Sequence, residues 1–296
     1  MAIAITGASG LIGTQLGRSL TASGQDVLRF VRRPARDAAE VRWDPEGGYV
    51  DTERLTGVEA VVHLAGEPVG PARWTTARKR RIWDSRVRGT RTLATALAAM
   101  DAPPPRLLSG SAIGYYGNTG AATADERTPA GAGFLADLCV AWEGATEPAQ
   151  RAGISVAHMR SANVLSASGG LLGFSLPAFR MGLGARLGSG QQHMSWISLP
   201  DEVGAIRFLL DHPDLQGPFN LCAPNPVSNA AFTAAVARAV RRPAVLAVPG
   251  FALRAALAEF ADEGVLVDQS ASPERLREAG YTFEHADLRA ALRDLL

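Results

Sequence analysis

Apolar residues follow two rhythms over the first half of the chain and a looser one afterwards. Short solid runs, as at 2–5 and 60–64, alternate with longer stretches in which apolar side chains return every three or four residues. Leu11, Ile12, Leu16 and Leu20 form one such series; Ile82, Trp83, Val87, Leu93 and Leu97 form another. Solid runs suit parallel strands covered on both faces, and the second spacing keeps one face of a helix apolar. Strands are expected over 2–5, 26–31, 60–64, 106–109 and 155–159, and helices over 11–22, 76–100 and 134–152. Pro103, Pro104 and Pro105 stop the second helix, since proline has no amide to donate and restricts the residue before it. This alternation predicts an α/β fold built on a doubly wound parallel sheet. Beyond Arg160, glycine-rich stretches at 168–170 and 182–190 separate short elements. They predict a smaller C-terminal α/β lobe closing over the end of the sheet. The expected division is 1–165 for the sheet, with later segments returning to it, and 166–296 for the lobe.

The turn between the first strand and the first helix carries the strongest chemical signal. Gly7, Gly10 and Gly13 stand at a G-x-x-G-x-x-G spacing. The first lets the chain turn sharply, the second lets backbone approach a pyrophosphate, and the third lets the helix pack closely on the strand. Ser9, Leu11 and Ile12 fall at the helix N-terminus, where free amides and the helix dipole favour phosphate. Any tight strand-to-helix turn needs some glycine, but an apolar strand before it and an amphipathic helix after it point to a dinucleotide site.

Nineteen positions past Gly13, where an acidic residue would hold an NAD ribose, stand Arg32 and Arg33. Guanidinium groups at the tip of the second strand suit a 2′-phosphate, so the expected cofactor is NADP(H). Leu64, Ala65 and Gly66 end another strand and offer a small-residue backbone surface to the same ligand.

Composition narrows the possibilities. A chain of 296 residues that is 47% hydrophobic and 20% charged can bury a sizeable core. A net charge of +1 gives no ground for expecting nucleic acid or acidic membrane as a partner. Cys139 and Cys222, and His63, His158, His193, His212 and His285, show no metal-ligand spacing, and no metal is expected. Apolar stretches are short or interrupted, as by Arg254 and Glu259 within 251–261, so no membrane span is expected. With a strand opening the sequence, a cleaved leader is not expected, and a cytoplasmic protein with two free thiols is. A small-molecule substrate is the expected partner, with a homodimer left open.

The residues together resemble the extended short-chain dehydrogenase/reductase superfamily, and more narrowly its atypical YfcH-like "epimerase family", related to nucleoside-diphosphate-sugar epimerases. The resemblance rests on segments 61–67, Arg73-Trp74, Ser85-Arg86, 111–117, Trp142-Glu143, 188–191, 195–197, 217–220, 223–226 and Arg242-Pro243, in that order over almost the whole chain. It implies a Rossmann domain, bound NADP(H) and a substrate pocket under the lobe. Active members of the superfamily transfer a proton through a tyrosine paired with a lysine four residues later. Anchoring the helix on Glu143 puts Leu135 and Cys139 at those positions, and Lys79 is the only lysine in the chain.

Replacements suggested by the resemblance are Ser111, at a strand tip, and Tyr115 or Tyr116 just after it. Each also has a plain structural reading, as a turn residue or an aromatic wall. Arg86 falls near an active-site position of extended members, where a fixed cation would meet cofactor phosphate, ribose or a substrate oxyanion. Ser109 and Val164, at two further strand ends, are assigned to the cofactor, and Gln191, Trp196 and Asn220 to the pocket wall. The run Arg73, Arg78, Lys79, Arg80, Arg81 reads as a solvated helix face or a means of steering anions. Two functions stay open: an NADP(H)-dependent oxidoreductase or epimerase-like enzyme, and a non-catalytic NADP(H) sensor or assembly protein.

Overall fold

The structure, a computed structural model, describes residues 2–70 and 72–296; Met1, the head of the opening apolar run, lies outside them. The first half runs β1 (Ala2–Thr6), α1 (Leu11–Ala22), β2 (Asp26–Val31), β3 (Glu40–Asp44), β4 (Tyr49–Val50), β5 (Ala60–His63), α2 (Thr76–Ala98), β6 (Arg106–Ala112), α3 (Phe134–Gly144), α4 (Glu147–Arg151) and β7 (Ser155–Ser161). The second half runs β8 (Asn163–Leu165), α5 (Gly170–Arg180), β9 (Ala185–Leu187), β10 (His193–Met194), β11 (Trp196–Ser198), α6 (Leu199–Asp211), β12 (Gly217–Leu221), β13 (Val227–Ser228), α7 (Asn229–Ala239), β14 (Leu246–Val248), α8 (Gly250–Leu257), α9 (Glu274–Glu278) and α10 (Leu288–Leu295).

Eight strands join in the order β12-β7-β6-β5-β1-β2-β3-β4, parallel except for the hairpin of β3 and β4. Side chains alternate across a strand, and that alternation explains the solid apolar run of β1. Ile3 and Ile5 pack with Leu16 and Leu20 of α1 and Val203, Ile206 and Leu209 of α6. Ala4, between them, packs with Leu93 and Leu97 of α2 on the opposite face. Each fully buried Leu or Ile contributes about 1.5–3 kcal/mol. From beyond residue 165, α6 packs on the sheet and β12 pairs with β7 at its edge.

Two expected element boundaries needed correction. The helix expected over 134–152 is two helices. Pro148 in the first turn of α4 has no amide with which to continue the α3 ladder, and the Thr146 hydroxyl donates to the Glu143 carbonyl at 2.7 Å. Strands β6 and β7 also run further than expected, because Gly110, Ser111, Arg160 and Ser161 extend them with residues that carry no apolar signal.

The lobe has its own core, in which Leu165, Leu172, Phe179, Trp196, Phe232, Val236, Leu288 and Leu292 meet. Trp196 is fully buried there and does not line a pocket, contrary to expectation. Asn220 is likewise enclosed, on the edge strand of the main sheet, whereas Gln191 is exposed. Among the described residues no helix is long and apolar enough to cross a membrane.

Candidate functional site

The glycine turn is built as the spacing requires. Gly7 has φ +67°, and a Cβ there would lie 2.8 Å from the backbone carbon of Leu64. A Cβ on Gly13 would lie 2.3 Å from the Gly7 carbonyl oxygen, and one on Gly10 would lie 3.2 Å from the same atom. Gly10 caps α1 without any side-chain acceptor, so the first-turn amides have no partner of the kind a Ser or Asp would supply. Ser9 and Gly10 are exposed beside a cleft of about 390 Å³, which also touches Leu11, Thr14, Ser168 and Gly169. Gly169 and Gly170 pack on Leu11, and Gly170 also lies against the Val164 carbonyl, which brings Val164 to this turn.

The neighbouring turn at Leu64, Ala65 and Gly66 is pinned from beneath. The Thr6 hydroxyl accepts from the amides of Leu64 and Ala65, each at 3.1 Å, and so donates its own hydrogen to His63 Nδ1 at 2.7 Å. His63 Nε2 then donates to the Thr90 hydroxyl at 3.0 Å. Burial, with the Arg86 charge nearby, pushes the His63 pKa down to about 4, so the ring stays neutral and holds this arrangement. Ser109 is enclosed in the sheet with its hydroxyl turned to the Gly110 carbonyl, so its side chain presents nothing to a ligand.

The paired arginines part company. Arg33 makes a bidentate contact with Glu40, at 2.6 and 2.7 Å. The Arg33 hydrogen bond and the Arg36 amide hold the Glu40 carboxyl down at about 2. Arg32 is exposed and has no partner among the described residues. Only Arg32 is uncommitted, so the expectation of two free guanidinium groups is corrected to one.

At the carboxyl ends of β6 and β7 the candidate catalytic residues meet in a buried network that the sequence did not reveal. Ser111 donates to Glu143 Oε1 at 2.7 Å, and Arg160 grips the same carboxylate through Nε at 2.7 Å and Nη2 at 2.9 Å. Arg160 Nη1 donates to the Tyr116 hydroxyl at 3.0 Å, and that hydroxyl donates to Asn220 Oδ1 at 2.7 Å. Burial works against the Glu143 charge, but Arg160 and Ser111 outweigh it and hold the carboxyl below its ordinary value. Burial pushes the Tyr116 pKa up to about 12. The hydroxyls of Ser111 and Tyr116 are thus committed to the protein.

Tyr115 differs from both. Half-buried, it lies with its ring 3.5 Å from the Arg160 guanidinium carbon, and its hydroxyl has no partner among the described residues. Leu135 and Cys139 face the same loop: a Cβ on Gly114 would touch Leu135 at 3.3 Å and Cys139 Sγ at 3.8 Å. Burial drives the Cys139 thiol up to about 12. A signal for the network was present, since charged residues inside strongly apolar elements, Arg160 in β7 and Glu143 in α3, must pair when buried.

The basic run at the start of α2 is only partly free: Arg80 and Arg81 are exposed, whereas three of its members are anchored. Lys79 pairs with Glu259 at 2.7 Å, Arg73 donates to the Ala255 carbonyl at 2.7 Å, and Arg78 donates to the Pro68 carbonyl at 2.9 Å. Glu263, just past α8, accepts from the first amides of α3, Phe134 and Leu135, each at 3.0 Å. The C-terminal segment therefore straps the lobe onto α2 and α3.

The chain is similar to known proteins over almost its whole length. Residues 3–222 match the NAD dependent epimerase/dehydratase family, and residues 248–295 match a domain of unknown function, DUF1731. The chain is 50% identical to "Epimerase family protein Mb2239" of Mycobacterium bovis over 290 residues, covering 98% of this chain and 96% of that one. Among solved structures, human epimerase family protein SDR39U1 with NADPH superposes with a TM-score of 0.89 at 28% identity, covering 100% of this chain and 99% of that one. A nucleoside-diphosphate sugar epimerase from Corynebacterium glutamicum superposes with a TM-score of 0.83 at 32% identity, covering 100% of this chain and 58% of that one.

Proposed function

Since the chain belongs to the NAD dependent epimerase/dehydratase family, we propose that it binds NADP(H) and exchanges hydride with a small polar substrate held between the sheet and the lobe. The observation that carries this reading is the cradle at Gly7, Gly10 and Gly13, where backbone occupies the space of a side chain at Gly7 and Gly13 and crowds it at Gly10. The open N-terminus of α1 suits a pyrophosphate, the turn at Leu64–Gly66 suits the adenosine half, and the uncommitted Arg32 suits a 2′-phosphate. The human relative solved with NADPH supports that choice of cofactor. A nicotinamide bound at the carboxyl edge of the sheet supplies hydride exchange. Of the three hydroxyls suggested by the sequence, Tyr115 alone is free to hold or release a proton at a substrate oxygen. Ser111, Glu143, Arg160 and Tyr116 fix the floor on which that ring lies.

A second reading, a cofactor-binding sensor without chemistry, is favoured by one observation. The positions facing Gly114 are Leu135 and Cys139, neither of which can move a proton near neutral pH. NADPH deuterated at C4, incubated with protein and a metabolite extract, separates the two. An enzyme transfers the label to a metabolite, and Tyr115→Phe slows the transfer. A sensor leaves the label in place while its shape or its partner binding responds to cofactor.

A further inference from the structure

Two arginines are almost wholly enclosed, and both are held by several groups of the protein, although Arg106 Nε has no partner among the described residues. Arg106 donates to the carbonyls of Leu209, Pro213 and Leu215 and to Ser155. Arg160 is held by Glu143 and Tyr116. Arg86, on α2, is different. Its Nη1 donates to the Glu67 carbonyl at 2.8 Å and more weakly to the Ile82 carbonyl at 3.4 Å. Its guanidinium carbon lies 5.0 Å from the Trp142 ring centre and only 3.2 Å from where a Cβ on Gly66 would be. Burial lowers its pKa to about 10, so the group keeps its charge at neutral pH.

Among the described residues no carboxylate stands within ion-pair distance of Arg86; the nearby Glu67 carboxylate faces Arg81 at 4.0 Å. Arg86 Nε and Nη2 donate to no atom of the described residues, yet they are not sealed from solvent. The indole Nε1 of Trp142 is sealed and has no acceptor. A partly desolvated cation with no carboxylate beside it is costly to the fold, and an anion arriving from outside would relieve that cost. The place suits a ligand. Gly66 follows β5, Trp142 packs on Gly110 of β6, and the carboxyl edge of such a sheet is where ligands bind.

We propose that Arg86, backed by the Trp142 ring, is a receptor for an oxyanion, a carboxylate or phosphate group carried by the substrate or by the dinucleotide. This rests on the reading of the site as a dinucleotide-dependent one. It adds that an anionic group is held at the β5–β6 edge, separately from the one suited to Arg32.

Binding of sulfate and of oxalate to the cofactor-free protein, followed by thermal shift against chloride at equal ionic strength, tests it. NADPH titration of the same proteins by fluorescence provides the second arm. Wild type is expected to show a saturable rise in Tm with at least one of the two anions. In Arg86→Gln the saturable part is expected to weaken at least tenfold, while the general salting effect, common to both proteins, remains. Should Arg86→Gln not fold, Arg86→Lys keeps the charge without the planar fork and is expected to weaken the response several-fold. If the anion response survives saturating NADPH, the receptor serves the substrate. If NADPH abolishes it, and the variant binds NADPH at least tenfold more weakly, the receptor serves the dinucleotide. Equal anion response and equal NADPH affinity in wild type and variant would overturn the proposal while leaving the cofactor reading intact. Absence of NADPH binding to wild type would instead overturn the cofactor reading.

Discussion

Glu202, in the first turn of α6, is fully enclosed and has no cation beside it. Its Oε1 accepts from the Ser161 hydroxyl at 2.6 Å, and its Oε2 is buried without a partner. Burial pushes its pKa from an ordinary 4.5 up to about 8, opposed only by the Ser161 hydrogen bond. A carboxyl whose folded pKa is raised stabilises the fold fully below its unfolded value and loses that contribution as pH rises through its folded value. The window is therefore pH 4.5 to about 8, with the protein losing stability towards the alkaline side.

The part of the loss clear of other titrations lies between about pH 7 and about pH 8, where the linkage relation gives about 1 kcal/mol. His63, buried neutral, changes stability only in more acid solution, and the two raised thiols only in more alkaline solution. Glu202→Gln keeps a carbonyl for Ser161 and removes the ionisation. Its buried amide hydrogens add a pH-independent cost of about 1–3 kcal/mol, so the slope with pH, and not the absolute stability, is the readout. Urea unfolding of both proteins across that window, followed by tryptophan fluorescence, is expected to show wild type falling by about 1 kcal/mol relative to the variant. Parallel pH profiles would refute the reasoning, because the carboxyl would then be ionised in the folded protein throughout.

Other outcomes follow from the site. Glu143→Gln leaves Arg160 buried without its counter-charge and is expected to cost about 3–5 kcal/mol in chemical unfolding; an unchanged unfolding midpoint would show that the pair is not sealed from water. Gly13→Ala forces a Cβ against the Gly7 carbonyl, and should cost about 3 kcal/mol or abolish NADPH binding, read by calorimetry. Tyr116→Phe should lower stability by about 1–3 kcal/mol, because it strands Asn220 Oδ1 and an Arg160 N–H. Tyr115→Phe should leave stability nearly unchanged while slowing label transfer, and the reverse pattern in the two tyrosine variants would reassign their roles.

The glycine turn and its strand and helix were legible because their requirements are local. A strand buried on both faces has to be solidly apolar, and a turn pressed against backbone has to be glycine. The break between α3 and α4 was marked by Pro148, but the apolar series continues through it and hides the signal. The network of Ser111, Glu143, Arg160, Tyr116 and Asn220 joins residues up to 109 positions apart, and only the closing of the sheet brings β6, β7 and β12 together. Arg32 and Arg33 look equivalent in the chain. Glu40, one strand away, is what separates them. The anchored members of the basic run, Arg73 and Lys79, could not be told from its exposed ones, because their partners Ala255 and Glu259 lie about 180 residues on.

The most direct measurement is titration of cofactor-free protein with NADPH and NADH, by calorimetry, on wild type and on Arg32→Asp. Saturable NADPH binding, tighter than NADH binding and weakened by about 1.5–3 kcal/mol in the variant, is the expected result. If neither nucleotide binds wild type, the glycine cradle holds no dinucleotide; if the variant binds NADPH as tightly as wild type, Arg32 does not hold its phosphate.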